Sequence, residues 1–559
     1  MLYESPYNAG FTIPDVDITS LVLDHNLKGD VPSKPAIIDG YSGQVVYTYG
    51  SLRDKIRLFA GFLQKDLNIA PGDVVAYLSY NTTYYPIIIH GLLAAGAVVS
   101  AFNPAYTAEE LCHTLTLAKP KYVLVQSELL DSLEKALGLI DGLFTPKLHV
   151  LDGKHQVHPS YSVLDILARD EYASYFQRYH RSPKQVASDV ALICFSSGTS
   201  GLVKGVQLTH GNVVANVTQQ GRCLDSMYQP DTVFTLVVPF FHILGLGGFC
   251  IQYLCHGAPI VVFRSFDLPK MLESIRRDKV THVNVVPPIA MAILRSPLTA
   301  NADFSSVRCL MNAAAPLKPE LADELSKRMG CVLTQWYGCT EASPSIISQR
   351  EDETHIRGTV GRLLPNMQMR VVDAQGADVE RGTPGELWIR GPNIMRGYVQ
   401  HSATTEDGFR DGFFPTGDVG YVDDQGFVYL VDRLKELIKV KGNQVAPAEL
   451  EALLLTHPDV TDAAVCGVTV EEEGTEYPVG YITTDWARDS HAALIETLRE
   501  YVEKRVAHYK RLVGGIHVLD AIPRNPSGKV LRRRLPVKED KAVAEAIALK
   551  ITSQRRSKL

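Results

Sequence analysis

The ten residues Ser196-Ser197-Gly198-Thr199-Ser200-Gly201-Leu202-Val203-Lys204-Gly205 carry four hydroxyls, three glycines and one lysine, with no acid among them. Short apolar runs flank them at 190–195 and 206–208. Glycine and hydroxyl residues at this density punctuate a chain, so the stretch is a loop between two elements. Its backbone N–H groups and hydroxyls can wrap phosphate oxygens while Lys204 neutralises charge. It is not the Walker pattern, because no Gly-Lys-Ser/Thr opens a helix here. An ordinary flexible hairpin remains an open reading of this stretch taken alone.

The surroundings of the loop specify a fold class. Residues 74–79 read as a strand, 84–95 as a helix, 121–126 as a strand and 127–139 as a Leu-rich helix. The alternation resumes after the loop at 232–238, 259–263, 267–278 and 281–286. Strands alternating with helices predict parallel sheets flanked by helices, an α/β body. From 356 to 433, short alternating runs separated by glycine and proline turns predict a small β-barrel. A small, mobile α+β C-terminal domain follows, with strands at 463–468 and 479–483 and helices at 448–456 and 491–508. The predicted organisation is a body over 1–433, a hinge at 434–435 and a mobile domain over 436–559.

At 559 residues the chain exceeds what one core can organise. Its net charge of −6 offers no bulk attraction to nucleic acid. Nine cysteines without a Cys-x-x-Cys pair favour free thiols over disulfides or zinc. The apolar run 87–101 contains a histidine and is too short to span a bilayer, so it reads as a buried helix entering a strand, and no membrane span is expected. No basic-then-apolar leader opens the chain, so no secretory signal is expected. The terminal Ser557-Lys558-Leu559 matches the tripeptide read by the peroxisomal import receptor, which predicts a peroxisomal location.

Four further stretches carry chemistry. Pro239-Phe-Phe-His242-Ile243-Leu244 places an imidazole at a glycine-rich helix start. Gln335-Trp336-Tyr337-Gly338-Cys339-Thr340-Glu341 follows a strand, so its polar residues fall near the strand's C-terminal end. Phe414-Pro-Thr416-Gly417-Asp418 offers a carboxylate in a tight turn, suited to a ribose diol, and Pro523-Arg-Asn-Pro-Ser-Gly528-Lys529 presents a lysine on another turn.

With the loop and the run Asp432-Arg433-Leu434-Lys435-Glu-Leu-Ile-Lys439-Val-Lys441-Gly442, these motifs resemble the adenylate-forming superfamily. That superfamily includes acyl-CoA ligases, 4-coumarate–CoA ligases, beetle luciferases and peptide-synthetase adenylation domains. The resemblance runs over nearly the whole chain, with the motifs in family order. It implies an AMP-forming carboxylic acid–CoA ligase using ATP, Mg2+ and coenzyme A on a small-molecule acid. The residues Ser196, Ser197, Gly198, Thr199, Ser200, Gly201 and Lys204 would hold the triphosphate. Ala313, Ala314, Ala315 and Pro316, with Gln335, Trp336, Tyr337 and Gly338, would frame the adenine. Thr340 would bind the α-phosphate and Glu341 the magnesium ion, a carboxylate being a suitable hard ligand. Asp418 and Arg433 would grip the ribose, and Lys529 would stabilise the charge that builds during adenylation. Rotation about Lys435 would then exchange Lys529 for the CoA-binding Lys439, Lys441 and Gly442.

His242, Ile243, Leu244, Gly248, Met311, Ala314 and Trp336 would line the acyl pocket, with His242 beside the acyl carbonyl and thiol path. Leu244 stands where coumarate ligases usually carry tyrosine, and Trp336 where a glycine is common. These departures point to an apolar medium-chain acid or an aryl-alkyl or arylpropenoic one. Rival readings are an enzyme that loads a carrier protein or oxidises its adenylate, and a non-catalytic binder. Structural roles also stay open for His242, for Lys439 and Lys441, and for Trp336 and Tyr337.

Overall fold

The computed structural model describes residues 1–24, 27, 31–140, 142, 144–153, 157–196, 203–313, 317, 319–399, 408–441, 443–471, 474–525 and 528–556. Of the candidate residues, Ser197, Gly198, Thr199, Ser200, Gly201, Ala314, Ala315, Pro316, Gly442, Ser557, Lys558 and Leu559 lie outside this set. Contacts divide the chain into two compact units. The body comprises Leu2–Met369 and Ile389–Pro415; the second unit comprises Met1, Arg370–Trp388 and Thr416–Leu559.

Two large sheets build the body. In the first, Lys147–Val150, Tyr122–Val125, Val74–Leu78, Val98–Phe102 and Val190–Ser196 run parallel. Lys204–Thr209 then turns back antiparallel to Val190–Ser196, and Gly397–Tyr398 adds an antiparallel edge. In the second sheet, Pro35–Asp39, Ile260–Val262, Phe234–Leu236, His282–Val285, Cys309–Asn312 and Val332–Gly338 are parallel neighbours. Both its edges are antiparallel: Val45–Thr48 on one side, Ser345–Ser348 and Arg362–Leu363 on the other. Strands covered on both faces are apolar on both faces, which is why runs such as Val74–Leu78, Tyr122–Val125 and Ile260–Val262 are apolar throughout rather than alternating.

The apolar run at 87–101 resolves into the helix Tyr85–Ala94, buried on every side, and the strand Val98–Phe102. A helix without a polar face belongs inside a large protein. Its His90 meets the Cys250 carbonyl at 2.7 Å, and burial holds its pKa down to about 4. Among the described residues, no helix is long and apolar enough to cross a membrane.

The strands expected at 356–433 form, and Phe414–Val422 pairs antiparallel with Val428–Arg433. Gln368–Val372, Gly385–Arg390, Phe414–Val422 and Val428–Arg433 are successive neighbours in one sheet. Among the described residues no hydrogen-bonded pair joins the two ends of this sheet, so closure into the expected barrel is not confirmed. Short runs with turns are equally compatible with either closure.

In the C-terminal part, Asp462–Val470, Thr475–Thr483 and Ile516–Val518 form a three-stranded sheet. Leu450 and Leu454 from the helix Pro447–Leu455 pack on it with Leu494 and Leu498 from His491–Glu503. The Lys/Arg-rich tail contributes the helix Lys541–Arg556, whose Ile547 and Ile551 enter the same core.

One guanidinium holds this region together. Arg532 donates to both Glu451 oxygens at 2.7 and 2.8 Å, to the Val465 carbonyl at 3.0 Å, and to Glu436. Burial pushes Glu451 and Asp432 above the usual carboxylate range, and Arg532 opposes both shifts. Removing one partner of such a group leaves buried charge unpaired, at a cost of about 3–5 kcal/mol. Arg532→Met is therefore expected to lower stability in urea unfolding by about that amount. Adding Glu451→Leu to it should recover part of the loss; an additive double variant would show that the pair is not coupled.

Candidate active site

The body unit gathers one cluster around Glu341. Val190–Ser196 and Lys204–Thr209 form a hairpin whose last paired residues are Ser196 and Lys204, so both ends of the phosphate-type loop are pinned. The Ser196 hydroxyl donates to Glu341 Oε1 at 2.9 Å, and the Tyr398 hydroxyl donates to the same oxygen at 3.0 Å. Lys204 Nζ lies over the Tyr398 ring, 4.8 Å from its centroid. Tyr398 reaches this position because Gly397–Tyr398 pairs with Val206 and Gln207. The Val399 N–H bonds the Gly205 carbonyl at 2.8 Å, and the Met395 N–H bonds the Glu341 carbonyl at 2.8 Å. Glu341 and Thr340 are both nearly buried in the short turn Thr340–Ala342.

That turn is fixed from below. Asn393, fully buried, donates to the carbonyls of Ala342 at 2.8 Å and Ser345 at 2.9 Å, while the Ser343 hydroxyl donates to the Asn393 carbonyl at 2.8 Å. The Asn216 amide adds a bond to the Ser345 carbonyl at 2.8 Å. Gly338 precedes the turn with no room for a side chain, because a Cβ there would sit 2.0 Å from the Pro344 carbonyl oxygen.

Alternation along Val332–Gly338 sorts its side chains onto two faces. Gln335 accepts from the Asn312 amide at 3.3 Å and from the Leu317 N–H at 3.1 Å, bracing both ends of the 313–316 segment. Tyr337 shares that face. Thr334 and Trp336 point to the other, towards the side where Met311 meets Tyr253 of the helix Leu244–Tyr253, Oη to Sδ 3.9 Å. Trp336 was expected both beside the adenine and in the acyl pocket; its side chain projects on the Met311 side, opposite Gln335. Ile243, Leu244, Met311 and Trp336 are all buried, and a Cβ at Gly248 would touch only Leu244 Cδ1 at 3.8 Å.

His242 immediately precedes this helix. Its Nδ1 accepts from the Leu244 N–H at 3.3 Å, and burial pushes its pKa down to about 4. The ring is therefore neutral at pH 7, with its proton on Nε2.

The second unit gathers a different set. Asp418 and Arg433 are directly paired across two strands, with Nε to Oδ1 3.2 Å. Gly417 takes the left-handed conformation (φ 73°), and its carbonyl accepts from the Leu434 N–H at 2.8 Å. Lys529 sits on a turn closed by Asn525, whose side-chain oxygen accepts the Lys529 N–H at 2.8 Å. Arg524 anchors the turn, bonding the Gly528 carbonyl at 2.6 Å and gripping Asp462 with two nitrogens at 3.0 and 2.6 Å. Burial, then the nearby Arg433 charge, bring the Lys529 pKa down to about 8, against the opposing pull of Glu436 and Asp418. Lys529, Asp418 and Arg433 are thus within electrostatic reach of one another. Lys439 and Lys441 point to solvent, their backbone N–H groups bonded to Glu476 at 3.0 Å and Thr475 at 2.7 Å.

The body unit thus presents a carboxylate held by two hydroxyls, and the second unit an Asp–Arg pair beside a lysine of lowered pKa. The chain belongs to the AMP-binding enzyme family: that family's model matches residues 24–399, and the model of the AMP-binding enzyme C-terminal domain matches 449–529. It is 36% identical to probable 4-coumarate–CoA ligase 1 of Dictyostelium discoideum, over 94% of this chain and 95% of that one. It is 35% identical to 4-coumarate–CoA ligase 1 of Arabidopsis thaliana, with 94% of each covered. Among solved structures it is similar to ATP-bound MatB from Rhodopseudomonas palustris, with 28% identity, TM-score 0.80, 92% of this chain and 97% of that one covered.

One residue of weight escaped the sequence reading: Tyr398 lies in a two-residue edge strand with no periodic signal. A tight geometric demand beside this turn falls on Gly338, where a Cβ would meet the Pro344 carbonyl oxygen at 2.0 Å. Gly338→Ala is expected to displace the Thr340–Glu341 turn, cutting activity at least about tenfold and lowering the melting temperature by several degrees. Scanning calorimetry beside a turnover assay checks both.

Proposed function

We propose that this protein is an ATP-dependent carboxylic acid–CoA ligase that forms an acyl-adenylate, releasing pyrophosphate, and then an acyl-CoA thioester, releasing AMP. The observation that carries this reading is the grouping of Lys529 with Asp418 and Arg433, a cation beside the pair suited to a ribose. A carboxylate is a poor acyl donor, so its oxygen attacks the α-phosphorus and expels pyrophosphate; a thiolate then displaces AMP from the mixed anhydride. Ser196 and Lys204 orient the phosphates, and Thr340 contacts the α-phosphate. Asp418 accepts from the ribose hydroxyls while Arg433 holds that carboxylate in place.

Glu341 is suited to a magnesium ion, since one carboxylate plus phosphate oxygens and water is an ordinary ligand set for it; that ion would offset phosphate charge. Among the described residues no group of three or more His, Cys, Asp or Glu gathers into an all-protein metal cage. The Ser196 and Tyr398 hydroxyls aim the Glu341 carboxylate, so Tyr398→Phe should weaken the apparent magnesium affinity about tenfold. A magnesium titration of pyrophosphate release reads this directly.

In its ammonium form Lys529 attracts the charge that grows on carboxylate and phosphate oxygens. Its folded pKa of about 8 means that this form is full below pH 8 and lost above it. The value of kcat/KM for ATP should therefore fall with one proton's dependence as pH rises through about 8. Lys529→Ala should slow pyrophosphate release about 10²–10³-fold with ATP binding largely kept. Unchanged turnover would remove the lysine from the mechanism. Neutral His242 serves the acyl and thiol path as a hydrogen-bonding gate rather than as a cation. The family resemblance supports Lys435 as the hinge that exchanges Lys529 for Lys439 and Lys441 between half-reactions.

The buried Ile243, Leu244, Met311 and Trp336 support an acid with an apolar body, medium-chain or aryl-alkyl. Release of AMP and acyl-CoA only when CoA is present separates a ligase from a carrier-protein loader or an oxidase. Ser557-Lys558-Leu559 supports peroxisomal import, which a fluorescent fusion with and without the tripeptide tests.

A further inference from the structure

Lys441 stands in the left-handed region of backbone space, at φ 47°. A residue with a Cβ crowds the following carbonyl oxygen there, so the conformation needs support from outside the segment. Such strain persists where the surrounding structure fixes it, and it gathers at sites where the side chain has a task.

The support comes from a residue distant in sequence. Thr475 opens the strand Thr475–Thr483 and is nearly buried. Its hydroxyl accepts the Lys441 N–H at 2.7 Å and donates to the Lys439 carbonyl at 2.8 Å; the Glu476 carbonyl lies farther off, at 3.4 Å. A hydroxyl has one proton and two lone pairs, so one atom can hold both ends of the segment 439–441. Glu476 adds a further tie, its Oε2 accepting the Lys439 N–H at 3.0 Å. Packing settles which side chains leave the segment. Ile438 and Val440 enter the core of the C-terminal sheet, and Val445 joins them from the paired strand Asn443–Val445. Lys439 and Lys441 alternate with these anchors and are exposed. Two ammonium groups thus project from a backbone fixed by apolar packing and by bonds to Thr475 and Glu476.

We propose that Thr475 is a positioning residue for the thioester-forming half-reaction, fixing the turn that presents Lys439 and Lys441 to CoA. CoA is a polyanion that must deliver one sulfur to one carbonyl carbon, so the cations that receive it need a fixed geometry. Thr475 meets neither CoA nor the adenylate and acts through Lys441. Loss of its hydroxyl leaves the Lys441 N–H and the Lys439 carbonyl without that partner, and the left-handed residue relaxes and redirects its side chain. This proposal rests on the acid–CoA ligase reading and deepens it. The two half-reactions depend on two turns of the same unit, one closed by Asn525 at Lys529 and one closed by Thr475 at Lys441.

The test separates the half-reactions on the full-length protein. Exchange of labelled pyrophosphate into ATP, with octanoate or phenylpropionate and without CoA, reads adenylation. Transfer from isolated octanoyl- or phenylpropanoyl-adenylate to CoA reads thioester formation. Thr475→Val keeps the branched shape and removes the hydroxyl. It should slow transfer about tenfold or more and leave exchange within about twofold. Thr475→Ser, which restores the hydroxyl, should return transfer to within about threefold of wild type. With Lys441→Ala already present, Thr475→Val should slow transfer by less than about twofold, because both changes act through one side chain. Equal losses in both half-reactions, wild-type transfer by Thr475→Val, no rescue by serine, or additive losses in the double variant would each overturn the proposal. Failure of the wild type to transfer either acyl group to CoA would overturn the ligase reading, and the proposal with it.

Discussion

The body's chemistry depends on how one nearly buried carboxylate is held. A carboxylate deprived of water persists only with hydrogen bonds to replace it, and Glu341 receives them from Ser196 and Tyr398. Each donor comes from a different element. Ser196 closes one arm of the loop hairpin, Tyr398 rides on an edge strand, and Glu341 sits in a turn braced by Asn393 and Asn216. The loop ends, the turn and the edge strand are thus fixed by meeting at one oxygen atom. A shift in any of the three would misdirect the Glu341 carboxylate, which the proposed reading assigns to a magnesium ion.

The second unit solves a different electrostatic problem. On the proposed reading Lys529 has to be charged enough to attract anionic oxygens, yet desolvated enough for that attraction to be strong. Burial and Arg433 lower its pKa to about 8, while Glu436 and Asp418 limit the fall. Arg532 gives donors to Glu451 and Glu436, and its own charge adds to the lowering of the Lys529 pKa.

Much of this was legible in the residues. Alternating β-branched and helical runs gave the α/β body, because buried parallel strands require apolar faces on both sides. The motif at 335–341 marked the Glu341 turn, and the turn at 523–529 marked Lys529. Closure of the 356–433 strands was not legible, since local alternation does not encode which edges pair. Tyr398 was invisible for a similar reason: its role comes from a two-residue strand joining a distant hairpin.

The central claim is that the acid's own oxygen attacks the α-phosphorus. Turnover of an acid carrying heavy oxygen in its carboxylate, followed by mass spectrometry of the products, tests it most directly. The account predicts one heavy oxygen in AMP and none in pyrophosphate. Unlabelled AMP, or label appearing in inorganic phosphate alongside ADP, would contradict it.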